Sequence, residues 1–128
     1  MRRTFSKSRR VVKSDDFTLI LRRGVCVADG VLVMFAIESD PNESDEVQPT
    51  QIGITIPKKV GNAVVRNRWK RLVRESFRTQ GDQIPNGMRL VVRPKKGAEP
   101  NWISIQRSVP YLARKAAKRL AAAKVDAT

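Results

Sequence analysis

Histidine is absent from this chain of 128 residues, and cysteine occurs once, at Cys26. Without histidine the usual general acid or base near neutral pH is missing, and no Ser-His-Asp triad can be assembled. A single cysteine allows neither an intrachain disulfide nor a Cys-based metal site, so Cys26 reads as a small residue in a strand. No apolar run approaches the ~20 residues needed to cross a bilayer. The start, MRRTFSKSRRVVKS, is rich in Arg and Ser but lacks the apolar stretch of a secretory signal, and reads as the basic arm of a cytoplasmic protein. Glycine-rich phosphate loops and metal-ligand clusters are missing too. Asp15-Asp16 resembles a metal pair only superficially, because acids in the first turn of a helix suit its dipole. These absences leave no catalytic constellation in the polypeptide itself.

Acids are also scarce: 12 Asp and Glu stand against 26 Lys and Arg, a net charge of +14. Five of the twelve acids (Glu38, Asp40, Glu43, Asp45 and Glu46) sit in one segment without a basic residue, so the remainder is more positive still. Such a charge implies a polyanionic partner, and with no membrane segment that partner is nucleic acid. The length suits one domain with a modest core, and 41% hydrophobic residues argue against wholesale disorder.

Periodicity divides the chain as follows. Ser14, Asp15 and Asp16 lead into a short helix that places Phe17, Ile20 and Leu21 on one face and ends at Gly24. Val25 to Ile37 is a single β-prone stretch that bends near Asp29-Gly30. An acidic loop spans 38–49. The alternation of Ile52, Ile54 and Ile56 predicts a half-buried strand closing a long hairpin with the previous one. After a basic helix comes a short strand over Met88–Arg93. Trp102, Ile105, Val109, Leu112, Ala116 and Leu120 then define a last helix. Pro110 either kinks that helix or makes it start near Ser108. The expected order is α-β-β-α-β-α, an α+β sandwich of a small mixed sheet packed with helices. Its parts are a basic arm over 1–13, one nucleic-acid-binding domain over 14–120 and a frayed tail over 121–128. A βαβ unit around the basic helix would ordinarily be right-handed.

That helix, within NAVVRNRWKRLVRESFRTQG over 62–81, is the most informative segment. Asn62 is its N-cap and Gly81 its C′ residue, giving a helix over 63–80. At about 100° per residue, Val65, Trp69, Leu72, Val73 and Ser76 form one largely apolar stripe. Asn67, Lys70, Arg71, Arg74 and Arg78 fall opposite, and Arg66 and Arg68 flank the stripe. Outer faces of helices are usually just solvated, but a face built for stability mixes signs at i,i+4. Here Lys70–Arg74 and Arg74–Arg78 are like-charged pairs, with only Glu75 as countercharge. Lys58, Lys59, Arg66 and Arg68 crowd the N-terminal end, where the dipole disfavours cations by about 0.3–1 kcal/mol each. Repulsion tolerated at both levels marks a binding surface.

VGNAVVRNRWKRLVRESF resembles the RNR motif of the protein subunit of bacterial ribonuclease P. SRRVVKSDDF, the RRG that follows and IGITIPKKVGNAVVRNR extend the resemblance over roughly residues 8 to 120. It implies the fold of ribosomal protein S5 domain 2, with a left-handed βαβ crossover in place of the ordinary hand. It also implies a catalytic centre in a large RNA, where Mg²⁺ ions activate water to remove the 5′ leader of precursor tRNA. The protein would bind no cofactor itself, associate one to one with that RNA and grip the leader in a cleft between the sheet and the first helix. Arg66, Arg68, Lys58 and Lys59 would contact the catalytic RNA. Asn67, Lys70, Arg71 and Arg74 would line the RNA-facing helix surface, and Phe17 and Phe35 match aromatic positions of the leader cleft. The second aromatic of the family's first helix falls at Leu21 here. On spacing alone Phe17 and Phe35 are core residues as readily as stacking platforms; Trp69 and Trp102 belong to the core.

A ribosomal or ribosome-assembly protein is the alternative, with similar charge and build and no need of a leader cleft. A protein-only nuclease is the third reading, disfavoured by the missing histidines and by acids gathered in one loop.

Overall fold

A computed structural model describes residues 14–39 and 49–126. The basic arm over 1–13 and most of the acidic loop, residues 40–48, lie outside the described residues. The elements run α1 (Ser14–Arg23), β1 (Val25–Ala28), β2 (Leu32–Glu38), β3 (Gln51–Ile54), α2 (Ala63–Thr79), β4 (Met88–Pro94) and α3 (Trp102–Asp126). Short 3₁₀ turns at Lys58–Val60 and Gly81–Gln83 bracket α2. The four strands form one mixed sheet in the order β1-β2-β4-β3.

Two expectations about the strands are corrected. The stretch from Val25 is not one bent strand but the tight hairpin β1–β2, so the order is α-β-β-β-α-β-α. Asp29 makes the turn: its Oδ1 accepts from the Val31 and Leu32 N–H groups at 2.8 and 2.9 Å, an Asx turn that folds the backbone onto itself. Its Oδ2 accepts from Ser108 Oγ at 2.6 Å and ties the turn to α3. Nor does β3 close a hairpin with the preceding strand. It lies parallel to β4, Ile52 opposite Leu90 and Ile54 opposite Val92. Parallel neighbours need a long crossover, and α2 supplies it.

Alternation along the strands divides the sheet into two faces. Val27, Leu32, Met34, Ala36, Ile52, Leu90 and Val92 are buried toward α2 and α3, where they meet Trp69, Val73, Phe77, Ile105, Val109 and Leu112. Phe77, beyond the predicted stripe of α2, widens its buried face. The opposite face carries a smaller cluster, Ile20 and Val91 with Phe17, Phe35 and Ile37 partly buried around them, under α1. Leu21 does not share that apolar face; it is 42% exposed. Gly24 follows α1 because a Cβ there would stand 2.5 Å from Ile20 O and 2.8 Å from Ala36 O. Helix and strand could not approach so closely with any other residue.

Helix α2 ends at Thr79, and Gly81 is not in the left-handed conformation; it opens a 3₁₀ turn. Helix α3 runs through Pro110 from Trp102 and continues past Ala121 to Asp126, where the sequence predicts a frayed tail. Pro110 has no N–H for the Gln106 carbonyl one turn back. Gln80 Nε2 donates to that carbonyl at 2.8 Å, and to Ser76 Oγ at 2.7 Å. An amide just past the end of α2 thus substitutes for the missing bond, which lets a proline sit buried within a continuous helix.

Gln80→Leu should therefore destabilise the fold by about 1–3 kcal/mol, the cost of an orphaned acceptor. In a Pro110→Ala background, where the helix supplies its own donor, the same change should cost less. Urea denaturation of the four proteins of this cycle measures the difference; equal costs in both backgrounds would refute the substitution.

Candidate nucleic-acid interface

The backbone preceding α2 prepares its N-terminus. Asn62 takes an extended conformation and its Oδ1 accepts from the Val65 N–H at 3.0 Å. This cap satisfies one of the unpaired donors of the first turn. No acid lies in that turn, while Lys58 and Lys59 are exposed just ahead of it. Positive charge therefore gathers at the positive end of the dipole, the placement that favours an external anion.

The two arginines of the RNR triplet are placed differently. Arg68 is exposed. Arg66 is half-buried, and its Nε is fully enclosed without a hydrogen-bond partner among the described residues. Its stem thus lies against the protein while the guanidinium tip remains for an outside acceptor. Asn67, Arg71 and Arg74 are exposed and Lys70 is half-buried. Glu75 pairs through both carboxylate oxygens with Arg78, whose Nε donates at 3.2 Å. This hydrogen bond is the main reason the Glu75 carboxyl falls below its ordinary pKa. The pair's contribution is complete above the ordinary glutamate range and fades as pH drops through the lowered value. Glu75 is thereby committed to Arg78, and no ion pair joins Arg66, Arg68, Lys70, Arg71 or Arg74 to a described residue.

Phe17 and Phe35 lie elsewhere. Both belong to the face of the sheet under α1, whereas α2 packs on the other face. The residues expected on α2 and those expected in a cleft beside α1 thus lie on opposite faces of the sheet. Phe17 rests on Gly53 so closely that a Cβ there would stand 2.5 Å from its Cζ. Phe35 is half-buried, with the Arg93 guanidinium over its ring at 5.3 Å from the centroid. Arg89, two residues from Val91 on the same face, donates to Asp16 at 3.4 Å and links α1 to β4. Exposed Cys26 lies opposite Phe35 in the register, at the edge of this face. Two half-buried aromatic rings, an arginine over one of them and a helix along one side are groups of the kind that hold unpaired bases.

Arg89, Arg93 and Gly53 were not singled out from the sequence. The signal was present in MRLVVRP, where residues four apart on a strand share a face, so Arg89, Val91 and Arg93 point together. What periodicity lacked was the pairing that sets Phe35 beside Val91 and Gly53.

A family model described as Ribonuclease P matches residues 5–117. The ribonuclease P protein component of Clostridium beijerinckii is 34% identical over 109 residues, spanning 84% of this chain and 87% of that protein. That of Listeria welshimeri is 32% identical over 107 residues, spanning 83% and 86%. Among solved structures, the Staphylococcus aureus RNase P protein superposes with a TM-score of 0.69 at 31% identity, covering 88% of this chain and 97% of that one. The Thermotoga maritima RNase P protein gives 0.70 at 26% identity, covering 83% and 96%.

Gly53→Ala should push the Phe17 ring off the sheet and destabilise the protein by about 1–3 kcal/mol, the usual cost of overpacking. Combined with Phe17→Ala, which vacates the space, the same substitution should cost little. Thermal and urea denaturation distinguish the two; an unaffected single variant would show that Phe17 does not sit on Gly53.

Proposed function

The chain belongs to the ribonuclease P protein family and is the RNA-binding subunit of ribonuclease P in tRNA 5′ maturation; from that footing we propose how its two surfaces divide the work. The α2 surface binds the catalytic RNA. Arg66 and Arg68 are its principal contacts, with Lys58 and Lys59 beside them and Asn67, Lys70, Arg71 and Arg74 along the open face. The observation that carries this reading is the row of α2 cations, Arg66, Arg68, Lys70, Arg71 and Arg74, that makes no ion pair with a described residue. Phosphates supply the missing countercharge, and release of their condensed counterions contributes to affinity in a salt-dependent way.

The face under α1 binds the 5′ leader of precursor tRNA. A leader base stacked on Phe35, and the aromatic edge of Phe17 beside it, would contribute about 1–3 kcal/mol per base. Arg93 and Arg89 add positive charge along the same face. Mature tRNA has no leader, so these contacts favour precursor over product. Leu21 offers aliphatic contact where the family has an aromatic ring, leaving Phe17 and Phe35 as the stacking residues.

Cleavage itself is assigned to the RNA, where bound Mg²⁺ would supply the activation of the attacking water. Among the described residues no group of three or more His, Cys, Asp or Glu is placed to hold a metal ion, and the protein's part is to bind and orient. One protein acts with each RNA, in the cytoplasm; no helix among the described residues is long and apolar enough to cross a membrane. The ribosomal reading is not favoured, since the family match and the relatives named above are ribonuclease P proteins.

Added to bacterial ribonuclease P RNA at low Mg²⁺, the protein should stimulate 5′ cleavage of precursor tRNA and bind precursor more tightly than mature tRNA. Stimulation without such preference would remove the leader from this account, and cleavage without the RNA would move the chemistry to the protein. Arg66→Ala with Arg68→Ala should flatten the plot of log K against log [salt] for catalytic RNA by at most about 0.9 per lost phosphate contact. An unchanged slope would show that neither arginine lies on phosphate.

A further inference from the structure

The outer surface of α3 is a second unpaired cationic face. Arg107, Arg114 and Lys118 follow one another at i, i+7 and i+11, which brings them within roughly 40° around the helix. All three are exposed, and none makes an ion pair with a described residue. The only acid of α3 is Asp126, its last residue. As on α2, like charge accumulates on one helix face, here with no acid in the helix ahead of Asp126.

Beside this stripe lies a groove of about 530 Å³ between α3 and the C-terminal end of α2. Arg107 and Arg114 line it together with Gln80, Gln83 and Gln106, and no described acid does. Gln80 is held by its bonds to Ser76 and to the Gln106 carbonyl, so that wall is rigid. Gln83 and Gln106 are exposed. Two guanidinium forks suit phosphate oxygens, and amides able both to donate and to accept suit ribose hydroxyls. Ile103, 61% exposed at the rim, adds an apolar contact for a sugar. The chemistry suits a sugar-phosphate backbone, whose phosphates meet the guanidinium groups and whose hydroxyls meet the glutamines.

We infer that this groove and the α3 stripe bind the backbone of the catalytic RNA as a second contact separate from Arg66 and Arg68. Helices α2 and α3 pack against each other on one face of the sheet. The α3 surface thus continues the layer whose α2 part is proposed to meet that RNA, and the inference rests on that reading. A leader held against Phe17 and Phe35 is on the far side of the sheet and does not reach it. Gln80 and the 3₁₀ turn lie at the end of α2 opposite Asn62, some 25 Å from it for a 17-residue helix. The RNA therefore spans the helical layer from one end of α2 to the other.

The test uses the full-length protein and bacterial ribonuclease P RNA, with affinity measured across a salt series. Arg107→Ala with Arg114→Ala should lower the slope of log K against log [salt] by about 1 to 1.8, two phosphate contacts at most. Arg107→Lys with Arg114→Lys should keep most of it, because point charge suffices for counterion release. If the alanine pair melts early, Arg107→Gln with Arg114→Gln replaces it, preserving length and polarity. An unchanged slope in a folded variant overturns the inference, and the Arg66/Arg68 pair measured alongside then shows whether the α2 reading stands alone. A loss seen for precursor tRNA without the catalytic RNA, with catalytic-RNA affinity intact, overturns the assignment of partner.

Discussion

Strand β4 is hydrogen-bonded on both edges, antiparallel to β2 and parallel to β3, and its side chains alternate between two different tasks. Leu90 and Val92 are fully buried toward α2 and α3, while Arg89, Val91 and Arg93 point to the face under α1. A slip of one residue would exchange the sets, burying two guanidinium groups in the core and exposing two aliphatic side chains. The cost of burying unpaired charge makes that register uncompetitive. One alternation therefore both closes the core and aims the arginines of the face under α1, and the position of Phe35 beside Val91 follows from it.

Charge is arranged with the same economy. The protein tolerates like-charged neighbours on α2, cations at the positive end of its dipole and a further row on α3. None of these improves the isolated fold, and each weakens it by a few tenths of a kcal/mol to about 1 kcal/mol. Packing carries the difference: Trp69 is fully buried at the centre of the core although its indole N–H finds no acceptor among the described residues. A core of large apolar side chains lets the helical surface be shaped by its partner.

Much of this was legible in the sequence, for identifiable reasons. Asn62, the stripe through Trp69 and Val73 and the polar face through Arg71 and Arg74 were readable because a helix encodes its faces locally. The resemblance around Arg66 and Arg68 then pointed to the family that the comparisons show. Non-local facts were not readable in this way. The partner of β3 is fixed by a parallel pairing across α2, and the alternation of Ile52 and Ile54 is the same whichever strand lies beside it. Splitting of the Val25 stretch turned on Asp29 accepting two backbone bonds, a detail that a bend near Asp29-Gly30 only approximates. Pro110 was judged by what it removes, since the rescue comes from Gln80, 30 positions away in the chain. The separation of Phe17 and Phe35 from the α2 cations needed the sheet as a wall between them.

Helix α1 is fastened differently from everything else. It touches the sheet through Ile20, Phe17 and the Asp16–Arg89 pair, a cluster far smaller than the one beneath α2 and α3. Fewer buried apolar side chains under α1 favour its local opening ahead of the core beneath α2 and α3. The cluster beneath α2 and α3 is separate from the one under α1, so a shift of α1 on the sheet would leave that core intact. How far that face of the sheet can open is thus set by how few of the described side chains hold α1 down.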